Sequence, residues 1–293
     1  MSDITLLDGG MGQELIHRAG DNPTPLWSTQ VMIDNPGMVA GVHRDFTWAG
    51  ATLATANTYA IHRDRLAGTP LEDRFEELHR LALAEARASG APRIAGSIGP
   101  LMASYRPDLH PEAAAGAVHY AEIAGLLAQD CDLLICETVA SVTHAESVLK
   151  GAATAGRPLW LALTVDDQDG SRLRSGEALS EVLPLARAQA QAVLVNCSVP
   201  EAIAAAIPVL AQSGLPFGGY ANGFERITEG FLSDKPTVDS LTMRRDLTPE
   251  RYADHVMRWV DAGATIVGGC CEVSPAHIAE IARRLRAAGH AIV

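Results

Sequence analysis

The sequence predicts an α/β chain folded as a single (β/α)8 TIM barrel over residues 1–293, and three observations carry that expectation. Eight short apolar runs alternate with segments of helical period. Glycines recur where a helix ends before the next run, and nearly every run ends on a residue able to bind or react.

The runs lie at 4–8, 51–56, 93–97, 132–137, 159–164, 192–197, 216–221 and 265–270. Each is mostly apolar without strict alternation, the pattern of a strand covered on both faces. Between them, Phe75, Leu78, Leu81 and Ala82 stripe one helix, and Ile278, Ile281, Ala282 and Leu285 follow the i, i+3, i+4, i+7 spacing of another. Ser274 before Pro275 pairs an N-cap with a proline at the first helical position, and Thr248-Pro249 repeats the device before Tyr252, Val256 and Trp259. Gly50, Gly90, Gly156, Gly214 and Gly263 stand where helices end. Eight strand–helix units in 293 residues suit a barrel, whose usual length is roughly 250 residues. A doubly wound open sheet is the rival, because alternation alone does not prove closure. No composition shift or linker divides the chain. One long connection, 222–248, reads as a lid or binding loop.

With 47% hydrophobic residues the chain can bury a sizeable core. A formal net charge of -12, without a Lys/Arg run, excludes a phosphate-backbone binder and is compatible with a cationic substrate. The N-terminus lacks a basic and an apolar region, and no stretch approaches the roughly 20 apolar residues of a membrane helix. The expectation is a soluble, cytoplasmic protein with small-molecule substrates and neither nucleic acid nor membrane as partner. Nothing in the sequence specifies an oligomeric state.

In a barrel the reacting groups sit at the carboxyl ends of the strands. Those ends read Asp8-Gly9-Gly10-Met11, Asn57-Thr58-Tyr59, Ser97-Ile98-Gly99, Glu137-Thr138, Thr164, Asn196-Cys197, Asn222 and Cys270-Cys271. Three of the five cysteines belong to this set. A chain of this size in a reducing compartment needs no disulfide staples, so metal binding or catalysis explains the adjacent pair better. Packing is the alternative for any buried cysteine, and it is the reading for Cys131 and Cys136. The ends of the sixth and eighth strands stand about 10 Å apart, so inward-pointing Cys197, Cys270 and Cys271 can meet on one zinc ion at Zn–S distances of about 2.3 Å. Three protein ligands leave a fourth position open. Thiolates donate much charge and weaken the metal's pull on water, yet suit a substrate thiol that must lose its proton and stay nucleophilic.

At these residues the sequence resembles the homocysteine S-methyltransferase family, the zinc-dependent homocysteine-binding barrel. The resemblance runs from Leu7-Asp8-Gly9-Gly10-Met11-Gly12 through Thr55-Ala56-Asn57-Thr58-Tyr59, Gly96-Ser97-Ile98-Gly99-Pro100, Cys136-Glu137-Thr138 and Val195-Asn196-Cys197-Ser198 to Gly268-Gly269-Cys270-Cys271. It implies a (β/α)8 barrel with zinc on Cys197, Cys270 and Cys271, and with Asp8 and Glu137 holding the substrate ammonium. Backbone amides near Gly10 and Met11 are expected to take the substrate carboxylate. Trp27 and Tyr59 are the candidates for the methylated cation of the donor, and Asn222 completes the substrate-binding set. The implied reaction moves a methyl group from S-methylmethionine, S-adenosylmethionine or a betaine to the thiol of homocysteine, forming methionine. Two departures stand out. The family's Glu-Thr-x-Pro element reads Glu137-Thr138-Val139-Ala140, and its Tyr-Pro-Asn-x-Gly segment reads Tyr220-Ala221-Asn222-Gly223-Phe224. The alternatives are a zinc- or thiol-binding protein without turnover and a zinc hydrolase on the same barrel, which the sulfur-rich set disfavours. His43, His62 and His255 are read as surface or packing histidines, since a metal-activated thiol needs no further base.

Overall fold

The computed structural model describes residues 1–21, 24, 26–225 and 241–293. Its strands are β1 (Asp3–Leu6), β2 (Leu53–Thr55), β3 (Arg93–Ile98), β4 (Leu133–Val139), β5 (Leu159–Leu163), β6 (Ala192–Asn196), β7 (Phe217–Ala221), β8 (Ile266–Gly269) and β9 (Ala291–Ile292). They form one parallel sheet in the order β2-β3-β4-β5-β6-β7-β8-β1-β9. All eight expected runs are strands; six are shortened by one to three residues, while the third and fourth run one residue longer.

The open-sheet alternative fails at the seam between β1 and β2. Leu7 and Leu53 form a parallel bridge there. The Asp8 N–H donates to the Leu53 carbonyl at 3.2 Å, and the Thr52 N–H to that of Leu6 at 2.8 Å. The sheet is therefore a closed barrel. The ninth strand, not expected from sequence, pairs with the start of β1 through Asp3–Ala291 and Ile4–Ile292. It caps the amino end of the barrel, opposite the mouth.

Closure explains the unbroken apolar runs, because each strand alternates between two cores. Leu7, Leu53, Ala95, Leu133, Ile135, Trp160, Ala162, Ala192, Leu194, Tyr220 and Ile266 fill the inside. The opposite parity, including Ile94, Leu134, Cys136, Leu161, Val193 and Val195, packs outward against the helices. Helix Phe75–Ala88 buries Phe75, Leu78 and Ala82, helix Pro249–Asp261 buries Tyr252, Val256 and Trp259, and helix Pro275–Ala287 buries its four expected residues. The Thr248 side chain accepts from the Arg251 N–H, while Ser274 caps through His277 Nδ1, which receives the Ser274 N–H at 3.2 Å. The helix-ending glycines adopt positive φ, as Gly263 does at 100°.

Of the long connection, residues 226–240 lie outside those described. Its two ends are paired with each other, Phe224 bridging Met243 and the Glu225 N–H donating to the Thr242 carbonyl at 2.9 Å. No described helix is long and apolar enough to cross a membrane.

Candidate metal and substrate site

Strand parity decides what faces the barrel mouth. In β4, Leu133 and Ile135 point inward, so Glu137 does too, while Cys136 is sent outward into the helix-facing core. In β8, Ile266 points inward and Cys270 follows four residues later in the same phase, packing on the inner cluster. Cys197 breaks the rule. After Val193 and Val195 it has outward parity, but it adopts φ +46°, which ends the strand and turns the side chain toward the mouth. The Thr164 hydroxyl donates to the Cys197 carbonyl at 3.3 Å, and the Ser198 hydroxyl takes the Val165 N–H at 3.0 Å, holding this uncommon conformation.

The sulfur atoms of Cys197, Cys270 and Cys271 all lie within 4.8 Å of one another. Cys197 and Cys270 are joined as a disulfide, with Cα atoms 5.8 Å apart, and Cys271 is a free thiol. The proximity that would build a metal site also lets two of its sulfurs bond. Metal and disulfide exclude each other, because a bonded sulfur has no thiolate to offer. In reduced form the set fits a tetrahedral zinc ion, whose ligand sulfurs stand roughly 3.8 Å apart. Burial, with Glu272 and Glu137 adding negative charge, pushes the Cys271 thiol up to about 12. Its thiolate therefore requires a compensating cation. Cys131 and Cys136 are buried free thiols remote from this cluster, as expected of packing residues.

The glycine motifs exist to let two loops interlock. A Cβ on Gly9 would lie 2.2 Å from the Val273 carbonyl oxygen, and one on Gly10 2.7 Å from that of Cys270. The Gly10 N–H donates to Val273 O at 2.9 Å and the Met11 N–H to Gly9 O at 2.9 Å. Both amides expected to take a substrate carboxylate are thus already used. What the turn presents instead is the first turn of helix Met11–Arg18, where N–H groups lack intrahelical partners.

Above the sulfurs opens a cavity of about 1140 Å³, counting solvent at its mouth. Asp8, Gly10, Met11, Trp27, Tyr59 and Glu137 line it with the three cysteines. Asn222 does not: its side-chain oxygen accepts the Phe224 N–H at 3.2 Å and forms a turn beneath the mouth. Asp8 accepts the Thr55 N–H at 2.7 Å and the Thr55 hydroxyl at 2.8 Å. Glu137 accepts the hydroxyls of Ser97 at 2.5 Å and Tyr220 at 2.7 Å. Burial pushes the Glu137 carboxyl up to about 7 against those two hydrogen bonds, and the Asp8 charge adds to the rise. The departure at Val139-Ala140 leaves this region well braced. Thr138 adopts φ +57°, and Asn196 holds it by accepting the Thr138 N–H at 2.9 Å and donating to its hydroxyl at 3.1 Å.

Trp27 meets Tyr59 edge to face, with centroids 6.2 Å apart. The Tyr59 hydroxyl pairs with Ser104 at 2.7 Å. Gly12 and Gly99 make room for this pair, since a Cβ at either would strike the Trp27 ring at 2.2 Å or the Tyr59 carbonyl at 2.4 Å. The Trp27 indole N–H donates to Gln13 at 3.1 Å, and Gln13 donates to Glu272 at 2.6 Å, beside Cys271. Sequence reading missed Tyr220, Gln13, Glu272 and Arg65. Glu272, at φ +65°, stands in a conformation that favours glycine. His43 and His62 are buried and His255 half-buried, and none lines the cavity.

The homocysteine S-methyltransferase family model matches residues 5–285. The chain belongs to this family. A homocysteine S-methyltransferase of Escherichia coli (strain K12) is 31% identical, the match covering 96% of this chain and 95% of the relative. A selenocysteine Se-methyltransferase of Brassica oleracea var. italica is 24% identical, covering 96% and 88%. Among solved structures, the homocysteine methyltransferase MmuM of Escherichia coli superposes in its metallated and its oxidized form with a TM-score of 0.81. The identity is 27%, over 97% of this chain and 96% of that one. The resemblance read from the motifs and the closed barrel therefore agree.

Proposed function

We propose that this protein transfers a methyl group from a sulfonium or betaine donor to the sulfur of homocysteine, with zinc held by Cys197, Cys270 and Cys271. The carrying observation is the convergence of three sulfurs beneath two buried carboxylates at one barrel mouth. When bound, zinc would accept the substrate sulfur in its open position and lower that thiol's pKa.

The chain's own groups do the rest. Asp8 and Glu137 hold the substrate ammonium by charge-assisted hydrogen bonds, each carboxylate being fixed by two donors of the barrel wall. The first turn of helix Met11–Arg18 offers its positive pole to the substrate carboxylate. Trp27 and Tyr59 face the methylated cation of the donor with aromatic surface, which attracts such a group without hydrogen bonds. The sulfur lone pair forms the new S–CH3 bond as the donor's S–CH3 or N–CH3 bond breaks, and its electron pair leaves on the donor. The thiol proton passes to solvent. Alignment of the two substrates supplies much of the rate.

Turnover of homocysteine by the reduced, zinc-loaded protein is the test, with S-methylmethionine, S-adenosylmethionine and glycine betaine as donors and methionine as readout. Methionine formed with at least one donor is the expected result. None with any donor would leave a thiol- or zinc-binding protein in its place.

A further inference from the structure

Arg65 lines the cavity and is the one cationic side chain among the described residues that do so, against Asp8, Glu137 and the cysteines. It stands on the short helix Arg63–Leu66, just beyond Tyr59. The guanidinium of Arg174, over the cavity-lining Tyr105 ring, is paired, gripping Asp167 through two 2.9 Å hydrogen bonds. Arg65 forms no side-chain ion pair among the described residues, and its Nε is buried without a hydrogen-bond partner. The adjacent Asp64 does not answer it, because that carboxylate takes the N–H groups of Met102 at 2.5 Å and of Arg65 itself at 3.0 Å. A buried guanidinium Nε–H left in this state forfeits hydration without compensation, unless a ligand anion supplies it.

We propose that Arg65 binds the carboxylate of the methyl donor, so that the enzyme selects zwitterionic, carboxylate-bearing donors. This rests on the methyltransferase reading given above. The donor side of the cavity is indicated by where Arg65 stands. Burial pushes the Tyr59 hydroxyl up to about 12, and Arg65 is among the groups that oppose the rise. The Arg65 helix follows Tyr59 closely in the chain and Tyr59 packs edge to face on Trp27, whereas Glu137 is held by Ser97 and Tyr220. Anion recognition thus sits beside the Trp27–Tyr59 pair that faces the donor's methylated cation, and the two subsites together match an onium carboxylate.

The test is steady-state kinetics of the reduced, zinc-loaded wild type and of Arg65→Gln and Arg65→Lys. The donor set comprises S-methylmethionine, dimethylsulfoniopropionate and trimethylsulfonium, the last having no carboxylate. Removing a charged hydrogen-bond partner should raise KM for the two carboxylate donors by about 10- to 100-fold in Arg65→Gln. The homocysteine KM should stay within about twofold, Arg65→Lys should recover part of the loss, and trimethylsulfonium should be used equally by all three proteins. A donor KM unchanged by Arg65→Gln overturns the proposal, as does a rise in the homocysteine KM instead. Absence of wild-type turnover with every donor in this set and the earlier panel is a different result, and strikes the methyltransferase reading itself. Should Arg65→Gln fail to fold, Arg65→Lys carries the same comparison, with a donor-selective rise in KM expected and none overturning the assignment.

Discussion

Replacing Glu137 with glutamine should stabilise the fold and weaken homocysteine binding at once, and both effects should depend on pH. The carboxyl sits at about 7 rather than its ordinary 4.5, chiefly through burial. That difference corresponds to about 3 kcal/mol at 1.36 kcal/mol per pH unit. A carboxyl raised on folding contributes its stability fully below its unfolded pKa and loses it as pH rises through the folded one. Between pH 4.5 and 7 wild-type stability therefore declines, and above 7 it carries the full cost of a buried charge. Glutamine cannot ionise, yet its amide can still accept the Tyr220 hydroxyl and donate to Ser97, so the packing survives. Urea unfolding of the metal-free protein at pH 8 should find Glu137→Gln more stable by up to about 3 kcal/mol, with the advantage vanishing near pH 5. In the loaded enzyme, kcat/KM for homocysteine at pH 8 should fall by roughly 30-fold or more, the loss of about 2 kcal/mol that accompanies removal of a buried charge partner. The ratio of wild type to variant should shrink toward pH 6, because kcat/KM reports ionisation in the free enzyme and Glu137 protonates there. Taking the ratio cancels titration of the substrate. A ratio independent of pH, or a variant with wild-type kcat/KM, would refute the assignment of Glu137 to the ammonium.

Two further outcomes follow from the packing. Tyr120→Phe should cost about 2–4 kcal/mol in urea unfolding, because the hydroxyl accepts from Leu101 N–H at 3.2 Å and His144 Nε2 at 2.9 Å while donating to His110 at 3.0 Å. The direction of that chain is set by the Ala140 N–H, which donates to His144 Nδ1, and a loss under about 0.5 kcal/mol would show the network to be idle. Gly12→Ala should raise the donor KM roughly tenfold or more by pushing the Trp27 ring, while zinc content holds. An unchanged donor KM would remove Trp27 from the donor site.

The barrel was legible because closure buries both faces of every strand, so eight apolar runs announced themselves without alternation. The sulfur cluster was legible because its cysteines stand at strand ends, where a barrel puts its chemistry. Other parts depended on contacts that no local pattern encodes. Tyr220 reads as core in Phe217-Gly218-Gly219-Tyr220, and only its inward parity opposite β4 brings the hydroxyl to Glu137. Arg65 reads as a surface charge in His62-Arg63-Asp64-Arg65, since its isolation is a matter of what its neighbours bind. Asn222 occupies a strand end yet is spent on its own turn, and the Gly10 and Met11 amides are spent on backbone carbonyls. The ninth strand is two residues long and pairs only with the start of β1, which the seam with β2 leaves open. The disulfide between Cys197 and Cys270 was not anticipated, because spacing along the chain says nothing about which of three converging sulfurs meet.

Sulfur coordination of one metal ion is measured most directly by elemental analysis and zinc-edge X-ray absorption on the reduced, zinc-equilibrated protein. The expected result is one zinc per chain in a sulfur-dominated shell, with Cys271→Ser folded but depleted of metal. Full zinc occupancy in Cys271→Ser, or a shell of nitrogen and oxygen alone in the wild type, would contradict the account.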